Sequence, residues 1–306
     1  MTPAANTPRR RLLDRVDRIL ACPHCRVAIA PAQPQDAFVC AKCGSRFGAS
    51  AEQYAFWDFP RDEVQQDWLN RAKESAKRRL GRFYPMAYPL IAPVYTSDRI
   101  TPFLATFDTD SQLVADLGCG TSEYGERVVC VDGVGYPNVH VVANLECLPF
   151  QNDSLVGILD LAVLEHARHP AAQVAEIERV LEPGGRALCF IPFIQGFHAS
   201  PHDYQRYTKS GLRELFQAFD ILDLRVGAGP TSSLLWIVQE WLALALSFGS
   251  VRLYRILLPL MWILSPLKYL DILLARHPAA TVIASGHFIE VRKRNPAAAH
   301  GERGAA

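Results

Sequence analysis

Four cysteines come in two tight pairs, "CPHC" at 22–25 and "CAKC" at 40–43, with fourteen residues between the pairs. Each pair can hold two thiolates on one turn. Two such turns complete a tetrahedral Zn²⁺ shell from Cys22, Cys25, Cys40 and Cys43. A shell closed by four sulfurs leaves no open position, so this zinc is expected to be structural. A redox dithiol fits less well, because the pairs are matched and have no thioredoxin-like surroundings; His24 reads as a surface residue. A second group of reactive side chains sits in "IPFIQGFHASPHDYQRYT", where His198, His202, Asp203, Tyr204, Arg206 and Tyr207 fall within ten residues. A histidine near neutral pKa can take the proton of an oxygen nucleophile. His198 and His202 are therefore the candidate catalytic bases, with Asp203 as the residue that orients one of them. A structural or substrate-binding role for the cluster is the alternative.

A third constellation is "ADLGCGTSEYGERVVCVDG", residues 115–133, which reads as a strand, a glycine turn and a second strand closing on Asp132. Gly118 and Gly120 lack a Cβ and so let backbone approach a ligand closely. A dinucleotide fingerprint would need glycine where Glu123 stands, and its acidic ribose partner would lie about twenty residues on. Asp132 comes only twelve after Gly120, which weakens a dehydrogenase reading. The link Thr121–Arg127 is also short, since a crossover through a helix takes about ten to twelve residues or more.

The elements that must position these groups are those of an ordinary globular chain. Its 306 residues are 49% hydrophobic and 21% charged, with a formal net charge of +1. Near-neutrality gives no general argument for nucleic-acid binding. The N-terminus has arginines but no apolar core of signal-peptide length. Cys119, Cys130, Cys147 and Cys189 are scattered through apolar runs, which suits buried thiols in a reducing cytosol. Residues 1–60 are expected to form the zinc ribbon, and 61–110 a basic helical linker or substrate lid. Residues 111–294 alternate strand-like and helical patterns, as in an α/β domain. An apolar helical insert spans 231–277, and 295–306 reads as a disordered tail.

Two resemblances follow from these motifs. The stretch "ILACPHCRVAIA…FVCAKCGSRFGA" resembles the zinc-ribbon domain of the small activator subunit that partners tRNA and protein methyltransferases. From 113 to about 225, "LVADLGCGTS", "LPF", "VLEH" and "EIERVLEPGG" closely resemble the class I S-adenosylmethionine-dependent methyltransferases. That family implies a seven-stranded, mostly parallel, doubly wound sheet and S-adenosylmethionine as cofactor. Carried over by position, Asp116, Gly118 and Gly120, with Cys119 between the glycines, would wrap the methionine end. Asp132 would hold the ribose hydroxyls, and Asn144 and Leu145 would meet the adenine. Val163 and the following Glu165 and His166 would lie near the sulfonium. Ser122 and Val156 depart from the family pattern. The missing helix implies that the cofactor's carboxylate is met by N–H groups of 118–122 and a cation, either Arg127 or an arginine from 61–82.

The insert invites a membrane reading. Its uncharged runs, Trp241–Val251 and Ile256–Leu267, are eleven and twelve residues, against about twenty for a spanning helix. A pair of interfacial helices carrying Trp236, Trp241 and Trp262 is expected, a substrate lid or subunit interface being the alternative. The expected acceptor is an apolar or lipid-linked small molecule, methylated by a cytoplasmic protein peripheral at the inner membrane face. RNA or protein methylation with the ribbon as docking module, and a non-catalytic cofactor-binding adaptor, are the rival functions.

Overall fold

The computed structural model of the chain describes residues 7–31, 37–58, 79, 81, 90–199 and 201–295. Most of the expected lid at 61–89 and the tail from 296 lie outside the described residues. After helix α1 (Pro8–Val16), strands β1 (Ala37–Val39), β2 (Arg46–Ala49) and β3 (Tyr54–Ala55) form an antiparallel ribbon. The two cysteine turns have the same backbone: Arg26 N–H donates to Cys22 O, and Gly44 N–H to Cys40 O, both at 2.8 Å. Each turn ends in a left-handed residue, Arg26 at φ 62° and Gly44 at φ 73°. Glycine adopts that region freely and arginine does so at a cost.

Helix α2 (Ile100–Leu104) leads into β4 (Val114–Leu117), β5 (Val128–Asp132), β6 (Val141–Val142) and β7 (Leu155–Leu161). Helix α3 (Pro170–Val180) precedes β8 (Leu181–Pro192), and helix α4 (Lys209–Leu215) precedes β9 (Asp220–Ala228). Strands β4 and β5 are buried along nearly their whole length, which accounts for their unbroken apolar sequence. The order is β6-β5-β4-β7-β8-β10-β9, where β10 (Gly286–Arg292) is the final strand and runs antiparallel to both neighbours. The expected seven strands are thus present, but among the described residues the sheet has ten. The ribbon continues it: β3 pairs parallel with β6, through Tyr54↔Val141 and Ala55↔Val142. Adding a strand satisfies the open backbone groups of the β6 edge.

Helix α3 stops at Val180, short of the two glycines. Pro183 disfavours the helical region for the residue before it. The pairing then jumps from Leu155↔Leu181 to Gly157↔Arg186, so "EPGG" bulges out of the strand. Between β4 and β5, residues 118–127 hold turns only.

The insert comprises α5 (Pro230–Leu246), α6 (Val251–Met261), a 3₁₀ stretch (Trp262–Leu270) and α7 (Asp271–Leu274). Asp271 caps α5 from a distance: its carboxylate accepts from Thr231 N–H and Ser232 N–H, both at 2.8 Å, and from Ser232 Oγ at 2.7 Å. The helical rod Val251–Leu274 is 24 residues long and, by length and composition alone, apolar enough to cross a membrane. Helix continues past the counted runs through Lys268 and Asp271, which turn their polar ends inwards and are buried.

Candidate active site

The chain segments expected to carry chemistry all leave carboxyl ends of neighbouring strands. Residues 116–120 close β4, Asp132 closes β5, Asn144 follows β6, Val163–His166 follow β7, and the histidine loop follows β8. The strand order reverses between β4 and β7, which is where open α/β sheets hold their ligands.

Gly118 has φ +67°, and a Cβ there would come within 2.5 Å of Val163 Cγ2. The glycine is thus demanded twice, by backbone sign and by its neighbour. Asp116 is buried and its Oδ2 has no hydrogen-bond partner. Burial above all pushes its pKa up to about 8, with Cys130, Asp160 and Asp132 adding to the effect. Asp132 is also raised by burial, although Val134, Gly120 and Gly133 N–H groups favour its charged form. Its oxygens accept from Gly120 N–H and Val134 N–H, both at 2.8 Å. The Asn144 side-chain carbonyl accepts from Glu146 N–H at 2.9 Å, which fixes the turn around the half-buried Leu145. Cys119 is a buried free thiol.

Two expectations about the glycine loop need correction. The N–H groups of Gly118 and Cys119 donate to Val131 O, Gly120 to Asp132, and Ser122 to Cys119 O. The loop therefore spends most of its donors on itself. Arg127 cannot supply the cation, because it precedes β5 and lies at the amino end of that strand, away from Asp132. It pairs there with Asp110 at 2.6 Å. Of the arginines of 61–82, Arg61, Arg71, Arg78 and Arg82 lie outside the described residues, and only Arg79 is described.

The histidine loop folds back on the segment after β7, where Tyr204 N–H donates to Glu165 O at 2.8 Å. Arg206 grips the Asp203 carboxylate with both arms and also donates to Gly196 O at 3.1 Å. Asp203 accepts from the backbone N–H of His198 at 2.9 Å. Asp203 thus holds the loop, and the His198 ring is steadied instead by Gly196 O, 3.0 Å from its Nδ1. Burial works against a charged His198, yet Glu165, Gly196 O and Asp203 raise its pKa. The carbonyl of His202 lies 2.5 Å from His166 Nδ1. So His198 reaches Glu165, whereas His202 contributes its backbone to the cluster.

Two features escaped the sequence reading. Asp160, inside the apolar strand β7, is fully buried, bonds Gln173 at 2.6 Å, and is pushed by burial up to about 7. A lone acid in "VGILDLAVL" was the available signal. The other is the meeting of Trp236 of α5 with the histidine loop: its ring lies 5.6 Å from the His198 ring. A Cβ on Gly196 would be 2.4 Å from Trp236 Nε1, so the insert packs directly on the histidine loop.

Residues 115–189 match the family described as a methyltransferase domain. That match supports methyl transfer as the activity class. No curated protein sequence matches the chain. Among solved structures it is similar to the Burkholderia thailandensis 1,6-didemethyltoxoflavin-N1-methyltransferase, with 16% identity and a TM-score of 0.40, covering 84% of this chain and 98% of that one. It is also similar to Haemonchus contortus phosphoethanolamine N-methyltransferase 2, with 14% identity and a TM-score of 0.42, covering 79% and 62%. At such values these likenesses assign neither substrate nor residue roles. The methyltransferase pocket fits its cofactor on this chain's own features. Asp116 offers a buried oxygen with no partner, Gly118 and Gly120 keep the loop free of side chains, and Asp132 closes β5 with a carboxylate held in place. The four cysteines fit a structural zinc, because their sulfurs all lie within 4.8 Å of one another.

Proposed function

We propose that this methyltransferase acts on an apolar or lipid-linked acceptor reached from a membrane surface, with its ribbon held by structural zinc. When bound, S-adenosylmethionine supplies a methyl on a sulfonium: the acceptor's lone pair takes the carbon, and the carbon–sulfur pair returns to sulfur. Asp116, Gly118, Cys119 and Gly120 are assigned to the methionine end, Asp132 to the ribose, Asn144 and Leu145 to the adenine, and Val163 to the wall near the sulfonium. Alignment of the two reactants does most of the catalysis in such a transfer. The acceptor's proton is lost at the cluster of Glu165, His166 and His198, which Asp203 and the backbone of His202 position.

The observation that carries the acceptor class is the polarity of the insert. It buries Ser232, Ser233, Gln239, Ser265, Lys268 and Asp271, and exposes Trp241, Leu244, Phe248, Ile263 and Leu273. A soluble lid buries its apolar face, and the reverse pattern marks a surface meant for lipid or a partner. Exposed Arg252, Arg255 and Arg276 lie among these apolar residues, and cations there favour anionic headgroups. Trp236 on the same helix touches His198, so the lipid-facing surface runs on to the reacting groups.

Calorimetric titration of S-adenosylmethionine into the full chain, paired with flotation on vesicles containing anionic lipid, tests both halves. Tight cofactor binding weakened by Asp132→Ala, with flotation lost on Trp241→Glu, is expected. Cofactor binding without flotation would overturn the lipid-facing reading, and RNA carried through purification would favour the ribbon as a docking module. Absence of cofactor binding would overturn the methyltransferase reading.

A further inference from the structure

Glu165 is completely buried, and neither of its carboxylate oxygens has a hydrogen-bond partner. Two imidazole nitrogens face it, His198 Nε2 at 3.5 Å and His166 Nε2 at 3.8 Å from Oε1. A charge-assisted hydrogen bond would be about 2.7–2.9 Å long. These separations are too great for that and suit a different arrangement. Two ligand atoms that each sit about 2.0–2.2 Å from one ion in tetrahedral geometry lie about 3.4 Å apart.

The outer nitrogens of both rings support the same arrangement. His166 Nδ1 lies 2.5 Å from His202 O, and His198 Nδ1 lies 3.0 Å from Gly196 O. A carbonyl can only accept, so each Nδ1 carries the proton and each Nε2 presents a lone pair towards Glu165. Arg206 Nη2 stands 3.3 Å from His198 Nδ1, but it is also 3.1 Å from the same Gly196 carbonyl and 2.7 Å from Asp203, which take its hydrogens. Histidines that bind metals characteristically anchor the other ring nitrogen on a backbone carbonyl or carboxylate. One ligand atom from each of Glu165, His166 and His198 lies within 4.8 Å of the other two, and both histidines are partly open.

We infer that Glu165, His166 and His198 form a binding site for one divalent first-row transition cation at the acceptor end of the methyltransferase cleft. Two imidazoles and one carboxylate suit zinc, iron, manganese or cobalt better than magnesium or calcium. Three protein ligands leave coordination positions open, in contrast to the closed shell of four cysteines. An acceptor hydroxyl held at an open position loses its proton to solvent more readily. This deepens the proposed function and rests on it for the identity of the acceptor end; binding of the cation itself does not.

Co²⁺ is the probe, titrated calorimetrically into full-length protein whose cysteine site has been filled with Zn²⁺. One Co²⁺ per chain is expected, with weak visible absorption and none of the intense near-ultraviolet charge transfer that thiolate ligation gives. His198→Ala and Glu165→Gln should each weaken binding at least tenfold while zinc content stays at one per chain. Zinc-filled wild-type protein that takes up no Co²⁺ overturns the site, whatever the variants do. So does equal uptake by wild type and a folded His198→Ala. S-adenosylmethionine binding, measured separately, tells a failed cation site from a failed methyltransferase assignment.

Discussion

The two ends of the seven-stranded core carry additions that treat strain and surface in opposite ways. At the β6 edge, Arg26 sits at φ 62° and its guanidinium makes paired bonds of 2.7 and 2.8 Å to Glu176, plus one to Leu148 O. The strained residue is where the ribbon is bolted to α3. At the other end, Phe248 sits at φ 47° and is 88% exposed. A bulky residue in the left-handed region is a conformational outlier, and here packing within the described residues offsets almost none of that cost. The first addition therefore completes the fold. The second keeps a large apolar side chain in water against the preference of its own backbone, which points to selection for something outside the chain.

If the four cysteines hold zinc as proposed, the largest effect should come from removing it. Four-thiolate zinc contributes on the order of 10 kcal/mol to the folding of small domains. Loss of the metal, by chelation or by Cys40→Ser, should unfold the ribbon and open the β6 edge. Hydrogen exchange would show this at Tyr54 and Phe56, whose N–H groups donate to His140 O and Val142 O at 2.9 and 2.8 Å. Unchanged protection at those two amides would mean that the ribbon is not part of the sheet in solution, and the contrast between the two ends would fall.

Asp271→Ala comes next. It strips α5 of its cap and leaves the buried Thr231 and Ser232 N–H groups unsatisfied, at a cost of about 2–3 kcal/mol. Urea unfolding would measure it. A change below about 0.5 kcal/mol would show that the insert is not docked through its polar face.

Arg26→Ala should cost less, about 1–2 kcal/mol, because Arg26 is 34% exposed and Arg179 also contacts Glu176 at 2.8 Å; partial exposure screens the pair. The pH dependence has a definite sign. Burial would raise the Glu176 pKa, but the Arg179 hydrogen bond, the charges of Arg179 and Arg26 and the Leu148 N–H hold it below its usual value. The stabilisation is therefore full above the ordinary carboxylate pKa and lost as pH falls below it. The gap in stability between wild type and variant should be constant from neutral pH to about 5 and close in acid. A gap that widened in acid would assign Arg26 a different partner.

These effects also show which parts were legible beforehand. The mostly parallel sheet and the strand-end positions of Asp116, Asp132 and Val163 follow from local motifs whose spacing is set by one fold. The cysteine pairs were legible for the same reason, since two identical turns repeat within one short stretch. The pairing of β3 with β6 was not, because it joins residues far apart by backbone groups alone, and side-chain pattern carries no record of such bonds. Arg127 misled because a charge near a motif in sequence can lie at the wrong end of its strand. Glu165 and His166 were noticed beside the sulfonium, but their meeting with His198 depends on how the loop after β8 folds back. The run-length count in the insert stopped at Lys268 and Asp271, whose burial the sequence does not show.

The smallest effect on stability, and the one of opposite sign, belongs to Phe248. Asparagine tolerates the left-handed region better than phenylalanine does, so Phe248→Asn should leave the protein as stable as before or up to about 1 kcal/mol more stable. Nothing in the core is lost, since the side chain is already in solvent. If the exposed face meets lipid, the same substitution should reduce sedimentation with anionic vesicles, and Leu273→Ser, at a residue 68% exposed, should reduce it further. Arg26→Gly at the ribbon makes the matching control: it relieves the same kind of strain but removes the bond to Glu176, so stability should fall. Stability that rises at 248 and falls at 26 separates a residue kept for a surface from one kept for the fold. A Phe248→Asn protein that is clearly destabilised, with vesicle binding intact, would place Phe248 in an internal contact and remove it from the lipid-facing surface.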